Sequence, residues 1–169
     1  HPPGFRWLHE SFGTNGRMIE MQAAIGRIQL RRMSEWHVRR KVHAERLASV
    51  FSALQGLRVP MPPVDVEHAW YKFYSFVQPE ALAPGWSRDR IMAEVNAAGV
   101  PCYSGSCSEV YLEKAFDGTG WRPPQRLAVA KALGETSLMF LVHPTLTDEE
   151  IEKTGKVVAE VMGRAREIS

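Results

Sequence analysis

The sequence predicts an α/β (α+β) fold in which a small sheet of about three strands is flanked by helices and preceded by two further helices. Two observations support this prediction. Segments with apolar residues every three or four positions alternate along the chain with short runs rich in aromatic and β-branched residues. The first pattern is typical of amphipathic helices and the second of buried strands. Strands that alternate with helices favour a layered α/β arrangement.

Residues 1–55 predict a loop followed by two helices. Gly13 and Gly16 interrupt regular structure, and a helical stripe begins directly after them. Ser34 is suited to cap the N-terminus of a second helix, which continues to about Leu54. The apolar stripe of the first helix consists of Met18, Met21, Ile25 and Ile28.

Residues 56–169 predict a small α/β unit that begins with an extended, proline-rich link at 60–63. The predicted strands are apolar or aromatic runs, at 69–77, 100–103 and 137–142. The last of them has no polar residue after Ser137, which is typical of a strand in the interior of a sheet. The predicted helices begin at capping residues or end at glycines, and they cover 88–98, 108–116, 125–133 and 148–166.

The composition is that of a folded globular chain, with 169 residues, 44% hydrophobic and 24% charged. A formal net charge of +2 is too small to indicate nucleic-acid binding. Basic residues do cluster on the predicted helices opposite an apolar stripe, a pattern typical of a solvated helix face. A DNA-binding face is the alternative for this cluster, which consists of Arg27, Arg31, Arg32, Arg39, Arg40 and Lys41.

No apolar run approaches the roughly 20 residues that a bilayer-spanning helix needs, so no membrane partner is expected. Cys102 and Cys107 have no metal-ligand spacing and no accompanying histidine pair, so no metal site is expected. The reducing cytoplasm is the expected location. The chain begins at His1 rather than at a methionine, which favours a fragment or a processed product.

A glycine-rich turn at Gly13–Met18 leads directly into a helix N-terminus. Free backbone N–H groups and the positive end of the helix dipole favour an anion there. Asn15 adds an amide donor, and Arg17 adds a guanidinium suited to phosphate. The alternative is an ordinary Asn-Gly turn followed by a solvated arginine.

The stretch GTNGRMIEMQAAIGRIQLRRMSEW, from Gly13 to Trp36, resembles the segment that opens the C-terminal part of pyridoxal-phosphate-dependent sugar aminotransferases of the DegT/DnrJ/StrS family. The resemblance extends from about residue 9 to 165 and includes Ala69-Trp70, Arg88-Asp89 and the ending around His143-Pro144. It implies the small C-terminal domain of a fold-type I transferase. Residues 1–55 would then link to a large domain outside this chain, and 56–169 would form the small domain.

The resemblance also implies a homodimer formed through residues 1–55. In the family the Gly13–Met18 loop crosses the dimer interface and completes the pyridoxal phosphate pocket of the neighbouring subunit, near the phosphate. The resemblance assigns this cofactor-binding role to Asn15 and Arg17 and to no other residue of the loop.

The chain departs from the family after the strand at 100–103. Relatives have a His-Tyr-Pro segment and a further histidine there, in a loop that meets the sugar, whereas this chain retains only Tyr103 of that segment. Tyr103, Ser104 and Ser106 are therefore candidates for contacts to a sugar hydroxyl or a nucleotide phosphate. A plain serine-rich turn is the alternative.

No lysine of this chain lies in a small-residue loop like the one that holds the family's cofactor-bearing lysine. We therefore expect no catalytic residue in this chain, no covalently bound pyridoxal phosphate and no turnover by the chain alone. The full-length enzyme is expected to aminate a nucleotide-linked keto-sugar in surface polysaccharide or antibiotic sugar biosynthesis, with glutamate as amino donor. The alternatives are a sugar dehydratase of the same family and a non-catalytic dimerisation or sugar-binding module.

Overall fold

A computed structural model describes residues 10–13 and 16–166. These residues form four α-helices and one four-stranded sheet. The helices are α1 (Glu20–Phe51), α2 (Arg88–Ala97), α3 (Ala128–Thr136) and α4 (Asp148–Ala165). The strands are β1 (Leu57–Arg58), β2 (Phe73–Val77), β3 (Cys102–Tyr103) and β4 (Ser137–Phe140). The predicted α/β class is confirmed.

The sheet has the order β1-β2-β4-β3, and every neighbouring pair is antiparallel. β4 therefore lies in the interior, as its apolar sequence predicts. The sheet has four strands rather than about three because the two residues of β1 also pair with β2. So short a strand carries no alternation that could identify it in the sequence.

One face of the sheet packs against the C-terminal half of α1. The ring of Phe51 meets the rings of Phe73 and Phe140 edge-to-face, with centroids 5.6 and 5.0 Å apart. All three side chains are fully buried, and α2 and α4 contribute Ile91 and Val158 to the same core. The apolar layer between the sheet and these helices is the centre of the structure.

A single helix of 32 residues occupies the stretch where two were predicted. The predicted break at Ser34 is wrong, because Ser34 lies inside α1. No glycine or proline is near, and a serine inside a helix costs well under ~1 kcal/mol relative to alanine. The helix begins at Glu20, where the Gln22 side chain accepts a hydrogen bond of 3.0 Å from the backbone N–H of Ile19.

The two halves of α1 differ in burial. Met21, Ile25 and Ile28 are 69%, 51% and 44% exposed, whereas the buried residues of the helix lie from His43 onward. The C-terminal half thus packs in the core of the 56–166 unit. The proposed division of the chain after residue 55 stays a prediction.

Several shorter elements differ from the predictions, and β3 and β4 are each two residues shorter than predicted. Residues 108–116 form two 3-10 turns, Val110–Leu112 and Lys114–Phe116, instead of one helix. The helix α3 continues through Gly134, because a helical glycine costs only about 1 kcal/mol. β2 begins at Phe73 rather than at residue 69.

The caps predicted at Ser87, Gly99 and Thr147–Glu150 are confirmed. The Ser87 hydroxyl accepts from the Arg90 N–H, and Thr147 and Glu150 form a reciprocal capping box at α4. Gly99 ends the α2 region with φ +75°, a conformation that few residues other than glycine adopt.

The long segment 104–127 has little regular structure and is held by side-chain hydrogen bonds. Arg126 forms a two-point ion pair with Glu109, and the Tyr111 hydroxyl donates to the same carboxylate at 2.7 Å. The hydrogen bonds from Arg126 hold the pKa of Glu109 down, to about 2. Arg122 donates to the backbone carbonyls of Tyr111, Leu112 and Glu113. These contacts join residues within the segment and so hold its own conformation.

A buried histidine lies where α1 meets the start of α4. His43 is fully buried, and its Nε2 is 4.0 Å from Oδ1 of Asp148. Arg46 and Arg39 surround the same carboxylate, at 3.1 and 3.9 Å. Burial, as the largest effect, lowers the pKa of His43 below its ordinary value of 6.5. The imidazole is therefore neutral in the folded protein at neutral pH.

We expect this histidine to make the fold acid-sensitive. The unfolded chain protonates His43 near pH 6.5, whereas the folded chain resists protonation until lower pH. The contribution of His43 to the free energy of unfolding is therefore fully present above about pH 6.5, and it is lost progressively as the pH drops toward the pKa of the folded state. In a His43→Leu variant, denaturant unfolding between pH 7.5 and 5 should show a shallower loss. A His143→Gln variant, which removes a half-buried imidazole nearby, is the control. An equally steep loss in His43→Leu and wild type would contradict this account.

Candidate functional site

A cleft of about 560 Å³ lies on the face of the sheet opposite Phe51. Side chains alternate across a strand, so burial of Phe73 and Phe140 on one face places Tyr74 and Met139 on the other. Tyr74 and Met139 are paired in register and form the floor of the cleft. The lining residues are His68, Tyr71, Lys72, Tyr74, Gly105, Ser106, Cys107, Glu113 and Met139.

The first wall is the turn after β3, at Gly105–Cys107. Gly105 has φ +84°, and a Cβ at this position would lie 2.6 Å from the ring of Tyr74. Only glycine allows the backbone to approach the floor this closely. The Ser137 hydroxyl donates to the Ser104 carbonyl at 2.6 Å, which ties the base of the turn to β4.

The second wall is the turn His68–Lys72, directly before β2. Trp70 has φ +46°, the only non-glycine residue in the described part of the chain with positive φ. For so bulky a residue this conformation is strained, and such strain concentrates at functional sites. Trp70 itself is buried, whereas Tyr71 is 72% exposed, with Lys72 next to it. The Lys72 Nζ lies 5.2 Å from the centre of the Tyr71 ring.

The lining combines flat aromatic surface with a few polar groups. The two tyrosines offer rings and hydroxyls, Ser106 offers a hydroxyl, Lys72 a positive charge and Glu113 a carboxyl that is only 4% exposed as a residue. Pockets of this volume and makeup are typical of small-molecule sites. The arrangement can stack against a ring, bond to hydroxyls and attract an anionic group.

The residues predicted for substrate binding lie at different distances from this cleft. Ser106 lines it. Tyr103 is 45% exposed and pairs with Met139, so its side chain lies on the same face of the sheet as the floor. Ser104 is buried at the base of the turn. Their contacts to a substrate stay predictions.

The predicted cofactor residues come shortly before α1 in the sequence. Asn15 lies outside the described residues, and Arg17 is exposed, three residues before the helix begins. Arg17 is not among the described residues that line the cleft. Phe12 packs on Phe116 and Trp121, with centroids 5.4 and 5.8 Å away, so the segment entering this loop contacts the 110–121 part of the chain.

Sequence reasoning missed Tyr71, Lys72, Tyr74 and Glu113 as lining residues. The run from Ala69 to Val77 predicts a buried strand, which conceals the fact that its alternate residues face a cleft. The sequence does contain an indication of this wall. Lys72 interrupts the aromatic run, and Phe73 and Tyr74 after it alternate between a purely apolar and a polar aromatic residue. Nothing in the sequence around Glu113 indicates that it approaches the same place.

The structure brings together no group of three or more histidine, cysteine, aspartate or glutamate side chains suited to a metal ion within residues 10–13 and 16–166. None of the helices in these ranges is long and apolar enough to cross a bilayer. Both cysteines are free, and burial raises the pKa of the Cys102 thiol to about 12.

Comparison with known proteins identifies relatives that match most of this chain. A model of the DegT/DnrJ/EryC1/StrS aminotransferase family matches residues 3–161. The solved structure of the aminotransferase from Psychrobacter cryohalolentis has a TM-score of 0.81 and 56% identity, over 96% of this chain and 43% of that chain. The dTDP-3-amino-3,4,6-trideoxy-alpha-D-glucose transaminase of Streptomyces venezuelae is 31% identical over 83% of this chain and 35% of that protein.

A dehydratase is also related. The dTDP-4-dehydro-2,6-dideoxy-D-glucose 3-dehydratase of Saccharopolyspora spinosa is 21% identical over 97% of this chain and 35% of that protein. The chain thus spans well under half the length of each of these relatives. Because the family model covers nearly all of its residues, the chain belongs to the DegT/DnrJ/EryC1/StrS aminotransferase family.

Proposed function

We propose that this chain serves as the C-terminal part of a pyridoxal-phosphate-dependent enzyme that aminates a keto-sugar carried on a nucleotide. The observation that carries the proposal is the cleft on the open face of the sheet, in a chain whose family is that of the sugar aminotransferases. Glutamate is the proposed amino donor, and polysaccharide or antibiotic sugar biosynthesis is the proposed context. The two free cysteines are compatible with a reducing cytoplasm.

The cleft suits a nucleotide-linked sugar in three respects. Tyr71 and Tyr74 offer aromatic faces against which a sugar or base ring can pack. Ser106 and the tyrosine hydroxyls can bond to sugar hydroxyls, and the Lys72 ammonium can pair with a phosphate. The volume of about 560 Å³ is within the range of ordinary ligand sites, about 300–1,000 Å³.

We propose that pyridoxal phosphate is contacted by residues that precede α1. Arg17 is exposed shortly before the N-terminus of α1, where a guanidinium and free N–H groups suit the phosphate, and Asn15 is two residues earlier in the sequence. When bound, the cofactor supplies the carbonyl and the electron-withdrawing ring that carry the amino group. Because Arg17 is exposed, it can reach a pocket in another subunit. We expect this chain to bind no cofactor covalently.

The partner proposed for residues 1–55 is a second copy of the chain. The N-terminal half of α1 exposes the apolar side chains of Met21, Ile25 and Ile28, together with Met18 before the helix. An exposed apolar stripe of this kind indicates an interaction surface. A homodimer would cover the stripe and direct the Asn15–Arg17 loop toward a neighbouring active site.

The reaction itself is tested on the complete gene product. Incubation with glutamate and a dTDP-linked keto-sugar should yield an amino sugar, which mass spectrometry detects. A dehydrated sugar without nitrogen would instead favour the dehydratase alternative, to which the S. spinosa relative belongs by name. If neither an amino sugar nor a dehydrated sugar forms, both enzyme proposals are contradicted and the non-catalytic module is favoured.

Lys72 should contribute to ligand binding. A Lys72→Met variant of the complete gene product should bind dTDP-glucose about tenfold more weakly in calorimetry, because it loses a charged partner for the phosphate. Lys156→Met removes the same charge from the groove between α1 and α4 and serves as the control. Equal dissociation constants for Lys72→Met and wild type would remove this lysine from the proposed site.

Self-association should depend on the apolar stripe of α1. The 169-residue chain is expected to form dimers in analytical ultracentrifugation, and Ile25→Glu should shift it toward monomer by placing a charge in the contact. Arg27→Glu introduces the same side chain on the opposite side of the helix and should have a smaller effect. A wild-type chain that stays monomeric at high concentration would count against the dimer.

A further inference from the structure

We propose that Arg40 is a positioning residue for the cleft, in that it holds the His68–Lys72 turn in the conformation that places Tyr71 and Lys72 in the wall. The inference rests on the proposed function of the cleft. The backbone of Trp70, in the middle of this turn, is strained, with φ +46°. A bulky residue keeps such a conformation only when surrounding contacts impose it.

The contacts on the turn come largely from one face of α1. The Arg40 Nη1 donates to the carbonyl of Trp70 at 3.3 Å and to that of Tyr71 at 3.2 Å. The guanidinium carbon also lies 5.9 Å from the centre of the Tyr71 ring. One side chain thus fixes two successive peptide groups and contacts the ring that enters the cleft.

His37, one turn earlier on the same helix, holds the start of the turn. Its Nε2 is 2.8 Å from the His68 carbonyl, and its Nδ1 is 3.2 Å from a carboxylate oxygen of Glu67. Inside the turn, the Trp70 N–H donates to the His68 Nδ1 at 3.0 Å. These bonds restrain the turn on both sides of the strained residue, and Arg40 restrains the side that leads to the cleft.

This arrangement connects the two regions to which the proposed function assigns ligands. Arg40 lies on the same continuous helix whose N-terminus is preceded by Arg17. A shift of α1 would therefore move the carbonyl anchors of Trp70 and Tyr71, and with them the cleft wall. The dimer contact and sugar binding would then be mechanically linked through Arg40.

The chain provides a matched control in the neighbouring arginine. Arg39 also donates to two backbone carbonyls, those of Pro144 and Leu146 at 3.0 and 3.1 Å, but it holds the turn before α4 instead of the cleft wall. Arg40→Ala and Arg39→Ala remove the same charge and the same number of carbonyl bonds. A purely structural role predicts similar effects of the two substitutions.

The test combines two measurements on the complete gene product. Calorimetry with dTDP-glucose should give a dissociation constant at least about tenfold higher for Arg40→Ala and unchanged for Arg39→Ala. Hydrogen–deuterium exchange should accelerate in residues 68–74 in Arg40→Ala and in residues 143–148 in Arg39→Ala. Arg40→Lys keeps a donor and a charge, so it should fold and show an intermediate loss of affinity.

Unchanged affinity in both Arg40 variants, with a binding-competent wild type, overturns the positioning role and leaves the proposed ligand standing. An equal loss of affinity in Arg39→Ala overturns it as well, because the effect would then be general. Absence of binding by wild type overturns the proposed ligand of the cleft and, with it, the inference that depends on it.

Discussion

The packing of one phenylalanine against two strands determines how the rest of this structure is arranged. Phe51 of α1 meets Phe73 and Phe140 edge-to-face, and all three rings are fully buried. Loss of one such ring costs about 3–5 kcal/mol, a large share of the roughly 5–15 kcal/mol that stabilises a domain. Since side chains alternate across a strand, this packing also decides that Tyr74 and Met139 face away from the helices. The floor of the cleft is thus a consequence of the core.

The walls of the cleft depend on side-chain hydrogen bonds. In irregular backbone many carbonyl groups have no backbone N–H as a partner and need another donor. Arginine side chains supply the missing donors. Arg40 holds the cleft turn before β2, and Arg122 holds the 111–113 carbonyls. Away from the cleft walls, the buried Arg88 donates in the same way to the carbonyls of Gly134 and Ser137, at 3.1 and 2.9 Å. The planar guanidinium presents several donors in a fixed geometry and remains charged at every physiological pH. The basic residues of α1 therefore include structural donors as well as solvated charges.

Local chemistry made the caps predictable. Ser87, Gly99 and the Thr147–Glu150 box each depend on neighbours within four residues, and the structure has them as expected. The interior position of β4 followed from its apolar sequence. The continuity of α1 through Ser34 was not predictable from a cap preference, since a serine can also lie inside a helix at little cost. The proposed substrate turn was located because it departs from the family pattern, whereas Tyr71, Lys72 and Glu113 were missed because their proximity depends on tertiary structure.

The family membership and the geometry address different parts of the function. The chain belongs to a family of aminotransferases, and the open face of the sheet is the place where we propose that the sugar binds. The most direct test of this account is a crystal structure of the complete gene product with dTDP-glucose. The account predicts density for the ligand on the open face of the sheet, in contact with Tyr71, Lys72 and Ser106. A ligand bound elsewhere, with the cleft filled by another part of the protein, would contradict it.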